Sequence, residues 1–301
     1  MNQAGLNLIR RISAARRLVA SWRARGESIV FVPTMGALHV GHKKLIERGV
    51  GPGRRVVVSI FVNPLQFGPN EDFDAYPRAL PADVQLCRDA GADLVFAPSV
   101  NELYPKGHAT IVHVGGLDHS LCAPFRPGHF DGVSTIVLKL LNIVRPDQLL
   151  LGQKDAQQAA IVGRMIRDLD LPVRLIKVPT VRERDGLAMS SRNRYLTTGE
   201  RTAAPELHRA LRAAADCVRA GERRPSMVLS VFRRRLAAAR LFRLQYAEIL
   251  DAERLVPMPR LEGRILIAAA AFLGRARLID NILMNVGGPA PAAARRKGGT
   301  T

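Results

Sequence analysis

The first half of the chain alternates short β-branched or aliphatic runs with longer segments whose apolar residues recur at helical spacing. Ser28 to Pro33, Arg55 to Val62, Leu94 to Ala97, Gln148 to Leu151 and Val173 to Val178 read as strands. A helix starting near Gly41 and further helices over Pro81 to Ala90, Gly132 to Ile143 and Ala156 to Leu169 are predicted between them. The run RVVVSIFV at 55–62 is almost continuously apolar, the pattern of a central strand buried on both faces. Strands and helices in this alternation predict an α/β fold, a doubly wound parallel sheet whose ligands gather beyond the carboxyl ends of the strands.

Past Pro179 the pattern changes. A loop, VRERDGLAMSSRNRY, leads into helical stretches from Thr198 to Arg219 and from Ser226 to Arg240, followed by apolar runs at Leu244 to Leu250 and Arg264 to Phe272. Residues 180–286 are therefore expected to form a smaller α+β domain after a first domain at 1–179. Residues 287–301 are too poor in large apolar side chains to order themselves and are expected to form a flexible tail.

With 301 residues, 47% of them hydrophobic, the chain can bury one large core or two moderate ones. The N-terminal region has no apolar run of signal-peptide length, since Arg10, Arg11, Arg16 and Arg17 interrupt it, and no segment has the length of a membrane span. Three widely spaced cysteines, Cys87, Cys122 and Cys217, form no CxxC pair. The expected setting is the reducing cytoplasm, without a structural metal.

A formal charge of +19 raises nucleic acid as a partner. The excess is spread along the chain, net +7 over residues 1–179 and net +12 over 180–301. Aromatic residues make up only 5%, too few for the stacking platforms that grip single strands. The charge reads mainly as an arginine-rich bias, with 38 Arg against 7 Lys, and it suits a cleft for an anionic small molecule.

The segment PTMGALHVGH, residues 33–42, falls where a strand gives way to a helix. Gly36 and Gly41 permit close backbone approach, and amides at the helix start favour phosphate. His39 and His42 can donate to triphosphate oxygens as charge develops at the α-phosphorus. An isolated His-x-x-His also serves simply to cap or pack a helix. No third ligand stands at metal-site spacing, so metal ligands are unassigned.

His39-Val40-Gly41-His42 resembles the HxGH signature of the nucleotidyltransferase superfamily, shared by class I aminoacyl-tRNA synthetases, and PTMGALHVGH as a whole resembles the pantothenate synthetase family. VSIFVNPLQF (58–67), RPGHFDGVSTIVLKLLNIVRPD (126–147) with GQKDAQQ (152–158), and GLAMSSRNRYL (186–196) agree with that family in order and spacing. The resemblance runs from about residue 7 to Val286. It implies a Rossmann-like ATP- and pantoate-binding domain and a smaller C-terminal lid.

The resemblance also implies roles. His42, His39 and Lys154 are the expected catalytic residues. Met35, Gly36, Gly152, Asp155, Val181, Met189, Ser190, Ser191 and Arg192 join them around ATP, with Val181 against the adenine and Met189 to Arg192 as a second phosphate loop. Gln66 and Gln158 are expected to hold pantoate, with Asn63, Tyr76 and Arg126 nearby or under a covering flap. Neutral amides suit that task, donating to a carboxylate and accepting from a hydroxyl without a fixed charge. The implied reaction activates pantoate as an acyl-adenylate with ATP and Mg²⁺, releases pyrophosphate, and joins the acyl group to β-alanine with loss of AMP. A homodimer is implied as well.

Five positions depart from the family pattern. Val40 replaces an acidic residue, Cys122-Ala123 a Glu-Gly pair, Ala156 an aromatic and Gln153 a frequent Glu. These leave open a paralogue that adenylates another hydroxy acid, or a relative that binds without turnover. A nucleotidyltransferase that leaves the nucleotide on its product, and a basic nucleic-acid-binding protein on the same scaffold, are the other readings.

Overall fold

The computed structural model describes residues 5–69, 71 and 73–287. The tail expected at 287–301 lies outside these residues except for Gly287. Nine strands are described: β1 (Asn7–Ile9), β2 (Ser28–Thr34), β3 (Arg54–Ile60), β4 (Leu94–Phe96), β5 (Gln148–Gly152), β6 (Arg174–Val178), β7 (Phe242–Asp251), β8 (Gly263–Leu273) and β9 (Ala276–Val286). The α-helices are α1 (Ile12–Arg23), α2 (Val40–Gly49), α3 (Leu80–Asp89), α4 (Val100–Leu103), α5 (His129–Val144), α6 (Ala156–Asp168), α7 (Thr198–Ala203), α8 (Glu206–Arg219) and α9 (Pro225–Ala237).

Strands β1 to β6 form one parallel sheet in the order β1-β4-β3-β2-β5-β6. Central strand β2 carries Ile29, Val30, Phe31 and Val32, all fully buried, and in β3 Val56, Val57 and Val58 are buried too, as the apolar run at 55–62 predicts. The chain winds outward from β2 through β3 and β4 on one side, and through β5 and β6 on the other. The carboxyl ends of β2 and β5 therefore flank the point where the winding reverses, where such sheets leave a crevice.

The second sheet, β7-β8-β9, is antiparallel and packs on α8 and α9 around its own core. Helix α8 buries Leu207, Ala210, Leu211, Ala214, Ala215 and Val218, one continuous stripe at helical spacing.

Three elements differ from the sequence pattern. The predicted stretch Thr198 to Arg219 is two helices, because Pro205 cannot supply the amide that would join α7 to α8. Edge strand β1 has only three residues and no alternation to reveal it. Strand β9 carries two buried polar residues, Asp280 and Asn281, at its centre, which breaks the apolar run expected of a covered strand.

Candidate functional site

A cavity of about 230 Å³ opens at the reversal point, between the ends of β2 and β5. Every residue assigned to ATP or the acyl substrate lines it except Arg126: Met35, Gly36, His39 and His42 from the β2–α2 turn, Gly152, Lys154, Asp155 and Gln158 from the β5–α6 turn. Asn63, Gln66 and Tyr76 enter from beyond β3, and Val181 with Met189, Ser190, Ser191 and Arg192 enter from the second half of the chain. Val133, Ile136, Val137 and Leu140 of α5 complete an apolar wall that the sequence motifs do not single out.

Backbone amides fix the tautomers of the two histidines. His39 Nδ1 accepts from the Gly41 amide at 3.0 Å, and His42 Nδ1 accepts from the His39 amide at 3.3 Å. A backbone N–H can only donate, so each neutral ring must carry its proton on Nε2. Two of the helix-start amides expected to meet phosphate are thus engaged by the imidazoles, and the donors offered to a ligand move out to the two Nε2–H groups. The capping reading and the catalytic one are compatible, because the cap sets the tautomer.

Burial, followed by the ammonium of Lys154, lowers His39 to about 4. Burial, followed by His39 and Lys154, lowers His42 to about 3. His129 is lowered to about 4, first by burial and then by Arg126. All three rings are therefore neutral at pH 7. Their ordinary value is 6.5, so on acidification the unfolded chain takes up protons before the folded chain does. Stability is complete above pH 6.5 and falls as pH drops through the window towards 4. Urea midpoints are expected to decline from pH 7 to 4.5, and to decline less in His42→Asn; an equal slope in that variant would contradict the assignment.

The β2–α2 turn is held from below by Asp83 of α3, whose carboxylate accepts from the amides of Ala37 at 3.0 Å and Leu38 at 2.7 Å. Gly36 has φ +85°, and a Cβ there would lie 2.9 Å from Asp83 Oδ2. The motif's glycine and the distant aspartate are therefore one device. Burial raises the Asp83 carboxyl, and the two amides counter it. Asp83→Ala leaves both amides without their acceptor, and a loss of about 2 kcal/mol in stability is expected from chemical denaturation.

Gln66 sits in a short 3-10 turn, Pro64–Gln66. Asn63 Nδ2 donates to Gln66 Oε1 at 3.2 Å and to the Gly132 carbonyl at 3.0 Å, while the Tyr104 hydroxyl donates to Asn63 Oδ1 at 2.9 Å. Gln66 Nε2 is thereby turned towards Met35, whose sulfur it meets at 2.8 Å. Gly132 allows α5 this close: a Cβ would fall 2.2 Å from the Leu65 carbonyl oxygen. Asn63 is thus a support for Gln66 as well as part of the wall.

Arg126 lies beside the cavity without lining it. Its guanidinium binds both oxygens of Glu71 at 2.6 Å and lies 2.9 Å from His129 Nε2, while His129 Nδ1 meets the Gln66 carbonyl at 2.7 Å. It stands outside the main cavity and braces Gln66 through His129.

The Lys154 ammonium is 3.6 Å from Asp155 Oδ2, with its side chain 21% exposed. The turn that carries it is tied to β9: Asn281 Nδ2 donates to the carbonyls of Gln153 at 3.0 Å and Lys154 at 2.9 Å, and Gln153 Nε2 donates back to Asn281 Oδ1 at 3.1 Å. Neighbouring Asp280 accepts from Arg182 at 2.6 and 2.8 Å and lies 3.1 Å from His208 Nδ1. Arg182 begins the hairpin that returns to Met189, whose amide donates to the Val181 carbonyl at 2.9 Å. Ser190 Oγ then accepts from the Arg192 amide at 3.3 Å. One strand of the small sheet therefore positions both the lysine turn and the serine loop. The motifs did not reveal this link, because its partners lie about a hundred residues apart.

Of the departures, Val40 is 48% exposed and does not line the cavity. Cys122 donates to Gln157 Oε1 through both its amide, at 3.1 Å, and its thiol, at 3.2 Å. Ala156 packs at the edge of the main core, and Gln153 serves the Asn281 contact just described. Among the described residues, no cluster of three or more His, Cys, Asp or Glu could hold a metal ion, and no helix is long and apolar enough to cross a membrane.

The family model for pantoate–β-alanine ligase matches residues 7–283. The pantothenate synthetase of Moorella thermoacetica is 50% identical over 281 residues, 93% of this chain and 99% of the relative. Among solved structures, the pantothenate synthetase of Thermus thermophilus superposes with a TM-score of 0.86 at 43% identity, covering 94% of this chain and all of that one (100%). The Francisella tularensis pantoate–β-alanine ligase, complexed with β,γ ATP and β-alanine, gives 0.77 at 33% identity over 93% and 98% of the two chains. With the motif residues gathered in one cavity and these matches spanning nearly its whole length, the chain belongs to the pantoate–β-alanine ligase family.

Proposed function

We propose that this chain condenses pantoate with β-alanine, converting ATP to AMP and pyrophosphate through a pantoyl-adenylate. The observation that carries the reading is the convergence of two Nε2–H imidazoles and Lys154 at one cavity with the paired amides Gln66 and Gln158.

In the first step a pantoate carboxylate oxygen attacks the α-phosphorus, and the bond from that phosphorus to the bridging oxygen of pyrophosphate breaks. His39, His42 and Lys154 supply hydrogen bonds and charge to the oxygens that gain negative charge. In the second step the neutral amine of β-alanine attacks the acyl carbon, the carbon–oxygen bond to AMP breaks, and one proton leaves the nitrogen. Asp155 is the only carboxylate among the described residues lining the cavity. Mg²⁺ would enter with the triphosphate, keep phosphate and water ligands, and draw on Asp155 at most, which fits its habit in such sites.

The mixed anhydride must be kept from water between the steps. The half of the chain from residue 180 to 286 acts as the lid over the 1–179 half in this reading. The hydrogen bonds of Asn281 and Asp280 to the lysine turn and the serine hairpin support it. The direct test is exchange of labelled pyrophosphate into ATP, which is expected to require pantoate and to proceed without β-alanine. Exchange that ignores pantoate, or that occurs with a different hydroxy acid alone, would overturn the substrate assignment.

A further inference from the structure

Strand β9 sets two adjacent buried polar residues, Asp280 and Asn281, against two different parts of the main cavity. Successive side chains of a strand point to opposite faces, so the two reach apart. Asp280 accepts from Arg182, at the start of the hairpin that carries Met189 and Ser190. Asn281 meets the turn Gln153–Asp155, which carries Lys154.

The lysine turn has no side-chain cap of its own. Neither the 3-10 turn Gln153–Asp155 nor α6 receives a side-chain cap hydrogen bond, although Asp155 occupies the N-cap position of α6. Support comes instead from a residue 127 positions further along the chain. Asn281 Nδ2 donates to the carbonyls of Gln153 and Lys154, and Asn281 Oδ1 accepts from Gln153 Nε2. A side-chain amide combines two donors and an acceptor in one plane, which is what this contact uses. Asn281 is 6% exposed, so water competes little for the three bonds. The lysine stem is long and flexible, and a fixed backbone at its root limits where the ammonium can go.

Building on the ligase reading, we propose that Asn281 is a positioning residue for the first half-reaction, acting through Lys154. It does not line the main cavity and touches no substrate. It holds the root of Lys154 so that the ammonium stands where charge gathers on the phosphoryl oxygens. Through the adjacent Asp280, the same dipeptide sets the spacing between Lys154 and the Ser190 hairpin.

The test is a double-mutant cycle on pantoate-dependent pyrophosphate exchange, with Asn281→Ala, Lys154→Ala and the two combined, each checked for folding by its urea midpoint. Asn281→Ala should lower kcat for exchange about 10- to 100-fold, the cost of displacing a positioned group by about 1 Å, with a much smaller change in KM for ATP. In the Lys154→Ala background the same substitution should lower the residual exchange by less than about 2-fold, the scatter of such cycles. Asn281→Asp keeps the acceptor for Gln153 Nε2 but withdraws both donors, and should lose as much as Asn281→Ala. Gln153→Ala removes one of the three bonds and leaves both carbonyls held, so it should give a smaller loss that also vanishes without Lys154, and it decides the matter if Asn281→Ala does not fold. A loss as large in the Lys154→Ala background as in the unaltered protein overturns the proposal, since the residue would then support only the fold. Unchanged kcat in Asn281→Ala or Asn281→Asp overturns it as well. If the unaltered protein shows no pantoate-dependent exchange, the ligase reading fails and this proposal with it, a result that is read before any variant is made.

Discussion

Lys154→Ala is expected to slow pantoate-dependent pyrophosphate exchange by about 10³-fold, with a much smaller change in ATP affinity. The lysine is well placed for an effect on kcat. It follows the end of β5 at the reversal point of the sheet, its side chain is largely enclosed, and its turn is clamped by Asn281 through two carbonyls. A positive charge held there before the reaction needs no reorganisation as charge builds on the phosphoryl oxygens, and it acts with little water to screen it. Lys154→Arg should restore only part of the rate, because a planar guanidinium does not substitute for a compact ammonium at a point contact. A Lys154→Ala variant that raised KM for ATP while leaving kcat intact would move the residue from catalysis to ground-state binding.

His42→Ala is expected to lower the same half-reaction by about 10²-fold while still binding ATP. Two effects combine. The Nε2–H donor is lost, and the amide of His39 loses the Nδ1 that accepts from it, which loosens the cap carrying the other imidazole. Because both rings are neutral at pH 7, the wild-type exchange rate should show no histidine-dependent fall between pH 8 and about 5. Full exchange activity in His42→Ala would remove the ring from the reaction.

What the chain disclosed before its structure depended on distance along it. The β2–α2 turn was legible because glycines, histidines and the strand-to-helix change lie within ten residues, and a parallel sheet with ligands beyond its carboxyl ends followed from the alternation of elements. The parallel sheet and the added α+β layer were both foreseen. Asp83 was not, although it holds the same turn, since it lies on another helix and is tied to it only by backbone amides. Asp280 and Asn281 went unseen for a related reason: they sit within β9, whose buried polar centre hides the strand pattern. Arg126, expected near the acyl substrate or under a covering flap, binds Glu71 and reaches Gln66 through His129.

The central claim is tested most directly by product analysis with ATP, Mg²⁺ and pantoate, with and without β-alanine. The account predicts AMP and pantothenate in equal amounts only when β-alanine is present. Pyrophosphate release without any pantothenate, or an AMP group left on the final product, would contradict it.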